Sequence, residues 1–161
     1  MTRINSAIRV RLLTDEHLLA EHREIKRLPS VYTKRKESKL GFKNLPKDFT
    51  LGTGHVLYFI DKAAFTAGRY LDIHDECISR GFNVENYFEN WKVYNSEDND
   101  FILNDHMSTK REYNLLVERI TERLIGSKKP YWHYYGKKLS KEEAVKLLNT
   151  PWGTEPTIKI A

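Results

Sequence analysis

Only one cysteine, Cys77, occurs among the 161 residues, and the chain has no long hydrophobic run. A single thiol excludes an internal disulfide framework and a multi-cysteine zinc site, and it fits a reducing compartment. No apolar stretch approaches the roughly 18–20 residues of a membrane span, and the first residues lack the apolar segment of a secretory signal. We therefore expect a soluble, monomeric, cytoplasmic protein with no membrane partner.

Motifs for metal ions and phosphate-bearing cofactors are also absent. The six histidines show no HExxH or similar metal spacing, so a metal-dependent nuclease has no supporting ligand motif. Gly52-Thr53-Gly54 lacks the lysine of a phosphate-binding loop and predicts a tight turn before the apolar run 56–60. We predict no metal and no cofactor.

Positive charge is in excess and unevenly distributed. The net charge is +5 and the isoelectric point is near 9.2. Residues 33–47 carry six Lys or Arg residues against Glu37 alone, whereas residues 85–106 carry six acidic residues against Lys92 alone. This split suits a protein that turns a basic face to nucleic acid, although two solvated loops of opposite sign would give the same counts.

Four segments carry helix signals. The first follows Thr14-Asp15 and reaches Ile25, with a break or kink at Pro29. The second follows Asp61, stops at Gly81 and shows an apolar face at positions 63, 64, 67, 70, 71, 74, 77 and 78. Capping boxes open the third helix at 109–112 and a short one at 140–143. The pattern predicts a mainly α fold: a single compact domain of three principal helices with long irregular loops, plus a short C-terminal helix.

The first helix presents a candidate site. His17, Glu21 and Glu24 share one face at i, i+4 and i+7 spacing, and Arg23 and Arg27 lie beside it. A carboxylate flanked by guanidinium groups stays ionised and is able to accept a proton. A solvated helix face with weak ion pairs would give the same pattern.

Two further stretches suit nucleic acid. Arg119 and Arg123, four residues apart on the third helix, suit phosphate contact, although Glu118 and Glu122 are also available to pair with them. Residues 131–138 interleave aromatic and basic side chains, a composition that suits base stacking, or packing of the aromatics against the helices.

Several collinear motifs resemble one family. The segments 1–5, 16–24 and 51–56, read as MTRIN, EHLLAEHRE and LGTGHV, are similar to the pyrimidine-dimer DNA glycosylases, the UV-repair endonuclease V of bacteriophages. Asp61-Lys62, the segment 76–83 and Tyr134-Tyr135-Gly136-Lys137 continue the similarity in the same order. The similarity spans residues 1–138 and defines a glycosylase-like domain; residues 139–161 form a C-terminal extension to which it assigns no role.

The resemblance implies an activity and a set of site residues. It implies a DNA glycosylase and AP lyase that excises cyclobutane pyrimidine dimers from duplex DNA without a metal, through an imine on the N-terminal amine. That amine belongs to Thr2 once Met1 is removed, and Glu24 is the essential carboxylate. The implied DNA contacts are Arg3, His17, Arg23, Arg27, Arg119, Arg123 and Lys137.

The chain departs from the family pattern at three places. Glu16 stands where glutamine is usual, His22 where tyrosine is common, and the stretch between Asn5 and Asp15 is one residue longer. These departures bear on lesion preference and on the shape of the pocket, not on the amine chemistry. A second hypothesis is a basic DNA-binding protein that kept the fold and lost the chemistry, since a pure binder needs neither Thr2 nor Glu24.

Overall fold

The predicted cap of the first helix is present. In a computed structural model, which describes residues 3–94, 97, 103–156 and 158, the Thr14 side chain accepts a hydrogen bond from the backbone N–H of His17. Helix α1 (Asp15–Ile25) follows, and α2 (Arg27–Glu37) resumes after Lys26, with Pro29 in its first turn where no backbone donor is needed. The predicted kink therefore lies three residues before the proline.

The predicted turn at Gly52-Thr53-Gly54 is present. The apolar run that follows it forms a short helix, α3 (His55–Phe59), which the sequence did not predict. Gly54 has φ +129°, and a Cβ placed there would lie 3.2 Å from Pro46 and 3.3 Å from Thr50. Glycine is therefore required at the residue that sets the direction of His55.

Helix α4 (Ala63–Ser79) exists as predicted, but its buried face was predicted correctly only in part. Ala63, Tyr70 and Cys77 are buried, whereas Leu71 and Ile78 are 38% and 52% exposed and Ala64 is exposed. The face is rotated because Thr66 and Arg69, both polar, point inward. Asp61 also does not cap this helix; Lys62 is the N-cap residue, without a side-chain cap bond, and its ammonium pairs with Asp61.

The two later helices begin as their capping patterns predict. Thr109 caps α5 (Lys110–Gly126) by accepting from the N–H of Glu112, whose carboxylate bonds His106 and does not complete the capping box. Ser140 and Glu143 form a complete capping box at the start of α6 (Lys141–Leu148). The apolar stripes of both helices enter the main core, where Leu116 and Ile120 lie in the same cluster as Leu147 and Leu148.

The sequence did not predict two 3₁₀ turns or a hairpin. The turns (Val10–Leu12 and Phe88–Val93) bury Leu12 and Trp91, and the hairpin pairs β1 (Trp132–Tyr134) with β2 (Lys137–Leu139) in antiparallel register. The mainly α class is confirmed. No helix within the described ranges is both long and apolar enough to cross a membrane.

A buried arginine ties the hairpin to the helices. The Arg80 guanidinium donates to Asp15 and Glu76, both at 2.9 Å, and its side chain is fully buried. Asp15 also accepts from the backbone N–H groups of Tyr135 (3.1 Å) and Gly136 (2.9 Å). The conspicuous motifs at 76–83 and 134–137 thus join the end of α4, the start of α1 and the hairpin.

Candidate active site

A small cavity opens between the N-terminal segment, α1 and α5. Its volume is about 70 Å³, and the described residues that line it are Arg3, Asn5, His17, Ala20, Glu21, Glu24, Ile120 and Arg123. The face of α1 predicted from helical spacing therefore does line one site. The fold supplies Arg3 and Arg123 from elements far apart in the sequence.

The N-terminal segment is fixed to α1 by a buried ion pair. Glu21 accepts from the backbone N–H of Asn5 (3.1 Å) and from its side-chain amide (2.8 Å). Arg69 of α4 donates to both carboxylate oxygens of Glu21, at 2.9 and 3.0 Å, and to the carbonyl of Ile8 at 2.6 Å. Two-point bonding of this kind holds the backbone in one orientation relative to the helix.

His55 fixes Ile4, the residue before Asn5 in the N-terminal segment. Its Nδ1 lies 2.9 Å from the carbonyl of Thr50, which can only accept, so Nδ1 carries the proton and Nε2 accepts the N–H of Ile4 at 2.9 Å. The ring must be neutral for both bonds to exist. Burial lowers the pKa of His55, chiefly by disfavouring its charged form, and so favours this state.

Three arginines converge beside the cavity. Burial lowers the pKa of Arg3 to about 10, and repulsion from Arg123 and then Arg119 adds to the effect. Burial and Arg119 likewise lower the pKa of Arg123. Arg119 lies 4.0 Å from Glu122, a long contact, and its buried Nε atom has no hydrogen-bond partner in the described chain. This surplus of positive charge suits an anionic ligand such as phosphate.

Glu24 retains an unused acceptor. Its side chain is 28% exposed and its Oε2 atom lies 3.1 Å from Nη1 of Arg27, yet that oxygen is shielded from solvent and accepts no hydrogen bond from any described residue. Asn5 Oδ1, on another cavity-lining residue, is in the same situation. Buried acceptors without donors are uncommon in folded proteins, and at this cavity a ligand, a reacting group or a water molecule is able to supply the donor.

His17 is held as a neutral ring. It stacks on Trp132 of β1 at a centroid distance of 5.1 Å. Burial lowers the pKa of His17 to about 4; Glu16 opposes this shift, and repulsion from Arg123 and Arg3 adds to it. A neutral imidazole at cellular pH is able to accept or donate a hydrogen bond beside the arginines without adding to their repulsion.

The other predicted residues lie around or away from the cavity. Arg27 pairs with Glu24 at its edge, and Arg23 is exposed on α1 without lining it. Lys137 is exposed on β2 and does not line it either. Thr2, the predicted nucleophile, lies outside the described residues; it directly precedes Arg3 in the sequence.

Glu16 does not line the cavity, although the sequence places it beside His17. Its carboxylate accepts from the backbone N–H of His133 (3.0 Å) and contacts Nδ1 of the same residue (2.8 Å) and Nζ of Lys129 (3.3 Å). Glu16 thus fastens the hairpin to the start of α1. It is next to Asp15, which bonds the hairpin turn, and to His17, which stacks on Trp132.

Sequence patterns did not reveal the residues that hold the N-terminal segment. Asn5, His55 and Arg69 act through contacts that span 16 to 61 residues. One signal was available in the sequence. Glu21 lies three residues after Leu18 and four before Ile25, so it borders apolar positions of α1, where a carboxylate needs a buried cation. No group of three or more His, Cys, Asp or Glu side chains that could hold a metal ion is found within the described residues.

The neutral state of His55 predicts a dependence of stability on pH. Because its folded pKa lies below the ordinary value of about 6.5, its contribution is complete above that value and is lost as pH falls through the folded pKa. His55→Gln keeps an acceptor for Ile4 and a donor for Thr50 but cannot titrate. We expect the melting temperature of the unmodified protein to fall more steeply between pH 7 and 5 than that of this variant; equal slopes would contradict the assignment.

A family model described as pyrimidine dimer DNA glycosylase matches residues 1–90. The matched span contains Arg3, His17, Glu21 and Glu24 of the cavity together with His55 and Arg69, which hold the N-terminal segment. The remaining side of the cavity comes from α5, beyond the match. The chain belongs to the pyrimidine dimer DNA glycosylase family, whose members act on DNA in repair.

Proposed function

We propose that this protein excises cyclobutane pyrimidine dimers from duplex DNA and then nicks the strand, with the amine of Thr2 as nucleophile and Glu24 as the proton-transfer group. The observation that carries the proposal is the shielded Glu24 Oε2, which is ion-paired with Arg27 but accepts no hydrogen bond, on a residue lining a cavity that Arg3, the residue after Thr2, also lines. Family membership supports a DNA glycosylase; the amine mechanism and the lyase step belong to the proposal.

An N-terminal amine suits this chemistry better than a lysine. Its reference pKa is about 7.7–8.0, against about 10.4 for lysine, so a large fraction is neutral and nucleophilic near pH 7.5. Nearby cations disfavour a further positive charge, and Arg3 and Arg123 belong to this site. Removal of Met1 is required, because a retained methionine would move the amine away by one residue.

The proposed reaction proceeds through a covalent adduct. The neutral amine attacks C1′ of the damaged nucleotide, the bond from C1′ to the base nitrogen breaks, and the base leaves with the electron pair. The amine proton is transferred to O4′ as the C1′–O4′ bond breaks, which opens the sugar and leaves an iminium ion at C1′. Glu24 stabilises this cation and takes the proton from C2′; β-elimination then breaks the C3′–O bond, and water releases the enzyme. No metal or cofactor enters any step.

The proposed partner is double-stranded damaged DNA, bound by a monomer. Attack at C1′ requires the duplex to bend or a nucleotide to leave the stack, because the sugar is otherwise shielded. Arg3, Arg119 and Arg123 would hold the phosphates around that distortion, and Arg23, Arg27 and Lys137 would extend the contact along exposed surfaces. A non-catalytic binder would use the same arginines, so only chemistry separates the two hypotheses.

Borohydride trapping tests the proposal directly. Borohydride reduces the iminium ion to a stable amine, so the protein incubated with a duplex carrying one pyrimidine dimer should yield a covalent complex whose adduct maps to residue 2. The undamaged duplex should yield none. Binding without trapping on the damaged duplex would favour the non-catalytic DNA-binding protein.

The arginines of α5 lead to a prediction for DNA affinity. Arg119→Ala and Arg123→Ala should each weaken the binding of damaged and undamaged duplexes alike, and each should reduce the slope of log affinity against log salt by about one, since one fewer counterion is released. Lys110→Ala, at the far end of the same helix, serves as the control and should leave the slope unchanged. If the arginines only pair with Glu118 and Glu122, the slope will match that of the unmodified protein in all three variants.

A further inference from the structure

The N-terminal arm, residues 3–13, is held on a second side by the end of the chain. Nη1 of Arg9 donates to the carbonyl of Thr154 (3.2 Å), and Nη2 donates to the carbonyls of Pro151 (3.0 Å) and Thr150 (3.3 Å). The same guanidinium lies 5.2 Å from the ring centroid of Trp152. These contacts tie the arm to the C-terminal segment, residues 150–155.

The C-terminal segment is itself anchored to the core. It follows α6, whose Ala144, Leu147 and Leu148 are buried, and the Thr150 hydroxyl donates to the carbonyl of Leu147 at 2.7 Å. Arg11 adds a surface ion pair to Glu155 at 3.2 Å. A planar guanidinium that bonds three carbonyls of an anchored turn is a rigid link, whereas the ion pair alone would contribute little.

One side of the arm borders an open cleft. The cleft, of about 610 Å³, lies between arm residues 6–11 and α4, and its wall includes Phe65, Gly68 and Trp152. On the core side, Glu21, Arg69 and His55 bond residues 4, 5 and 8, and Arg80 donates to the carbonyls of residues 10, 11 and 13. The Arg9 contacts add a hold on the cleft side, so we expect their loss to loosen residues 6–9 and, through them, the residues that line the cavity.

We propose that the C-terminal segment is a brace that positions the N-terminal arm for reaction, with Arg9 as its positioning residue. The inference rests on the proposed function, because the arm begins beside the residue proposed as nucleophile. It assigns a role to residues 150–155, which take no part in the proposed chemistry: they set where the arm, and with it Arg3, stands relative to Glu24.

Arg9→Gln in the full chain tests the brace. The variant keeps a side chain that is able to reach one carbonyl, but it loses the fork and the stacking on Trp152. We expect single-turnover trapping to slow by about tenfold, since small misplacements of a reacting group are costly. Affinity for the damaged duplex should change by no more than about twofold, which is small in free energy. Trp152→Ala, which alters only the other partner, should slow trapping in the same direction by less.

The matched control is Lys146→Gln, which removes one positive charge from the exposed face of α6 without touching the arm. It should trap at the unmodified rate. Arg9→Lys keeps the charge but not the fork, so it should trap at an intermediate rate. A trapping rate in Arg9→Gln equal to that of the unmodified protein, or a loss matched by an equal loss of DNA affinity, would overturn the brace.

Hydrogen exchange gives a readout that does not depend on activity. The amides of Ile8 and Leu12 bond to the carbonyls of Asn5 and Arg9, both at 2.9 Å, within the arm. They should exchange faster in Arg9→Gln than in the unmodified protein, while the amides of α5 stay protected. If the unmodified protein traps nothing, the proposed function fails; unchanged exchange at Ile8 and Leu12 in the variant overturns the brace independently.

Discussion

Blocking the N-terminal amine should abolish both borohydride trapping and strand cleavage. An extension that ends in a protease site immediately before Thr2 gives the sharpest form of the experiment. Before cleavage the chain retains Arg3, Glu24 and Arg123, so it should bind damaged duplex, yet it has no primary amine at residue 2. After cleavage the same preparation should trap and nick, because the nucleophile has been created without any other change.

The contrast between the two forms distinguishes the amine from the lysines. Lysine amines are unaffected by the extension, and they are mostly protonated at neutral pH because their reference pKa is about 10.4. Trapping that persists with the extension in place would contradict the role of Thr2 and would point to a lysine such as Lys137, which Lys137→Arg would then test. Loss of trapping together with loss of DNA binding would mean that the extension obstructs the DNA. The amine of the processed protein would then be blocked by acetylation instead of by the extension.

Helix ends were predictable because their signals are local. Thr14 and Ser140 bond backbone groups three residues away, so the caps can be read from the sequence alone. The left-handed stop at Gly81 (φ +83°) is equally local, and Phe82 donates to the carbonyl of Cys77 as the motif requires. These features were enough to predict a mainly α fold.

The buried face of α4 was not predictable in this way. A periodicity argument places Arg69 on the solvent side, but its partner Glu21 lies 48 residues earlier. Thr66 is drawn inward by the indole N–H of Trp91, which it accepts at 3.1 Å. Both polar residues are buried only because distant residues satisfy them, and apolar spacing carries no information about such partners.

The candidate site shows the same division. Helical spacing on α1 was enough to group His17, Glu21 and Glu24, which all line the cavity. It could not separate their roles. Glu21 is buried and bonded through both oxygens to Arg69, so it is structural, whereas Glu24 is partly exposed and has an oxygen that accepts no hydrogen bond. The addition of Arg123 from α5 depends on how the helices pack.

The second large effect is expected at Glu24. Glu24→Gln preserves the size of the side chain and removes its charge, so single-turnover cleavage of a dimer-containing duplex should fall by on the order of 10²–10⁴-fold, as for a positioned acid–base group. Folding should be retained, because the ion pair lost between described residues is with Arg27, whose side chain is 59% exposed, and such pairs contribute little to stability. DNA affinity should be unchanged or higher, since a negative charge near the phosphates is removed.

Glu21→Gln and Glu118→Gln are the comparison variants for Glu24→Gln. Glu21→Gln would leave Arg69 incompletely paired in the core, a change that typically costs about 3–5 kcal/mol, so its loss of activity would follow a loss of folded protein. Glu118→Gln removes a charge from the exposed side of α5 and should cleave normally. The proposed role of Glu24 therefore requires a melting temperature like that of Glu118→Gln combined with a cleavage rate far below it. Near-normal cleavage by Glu24→Gln would mean that this carboxylate is only part of a solvated helix face, and the proton at C2′ would need another acceptor.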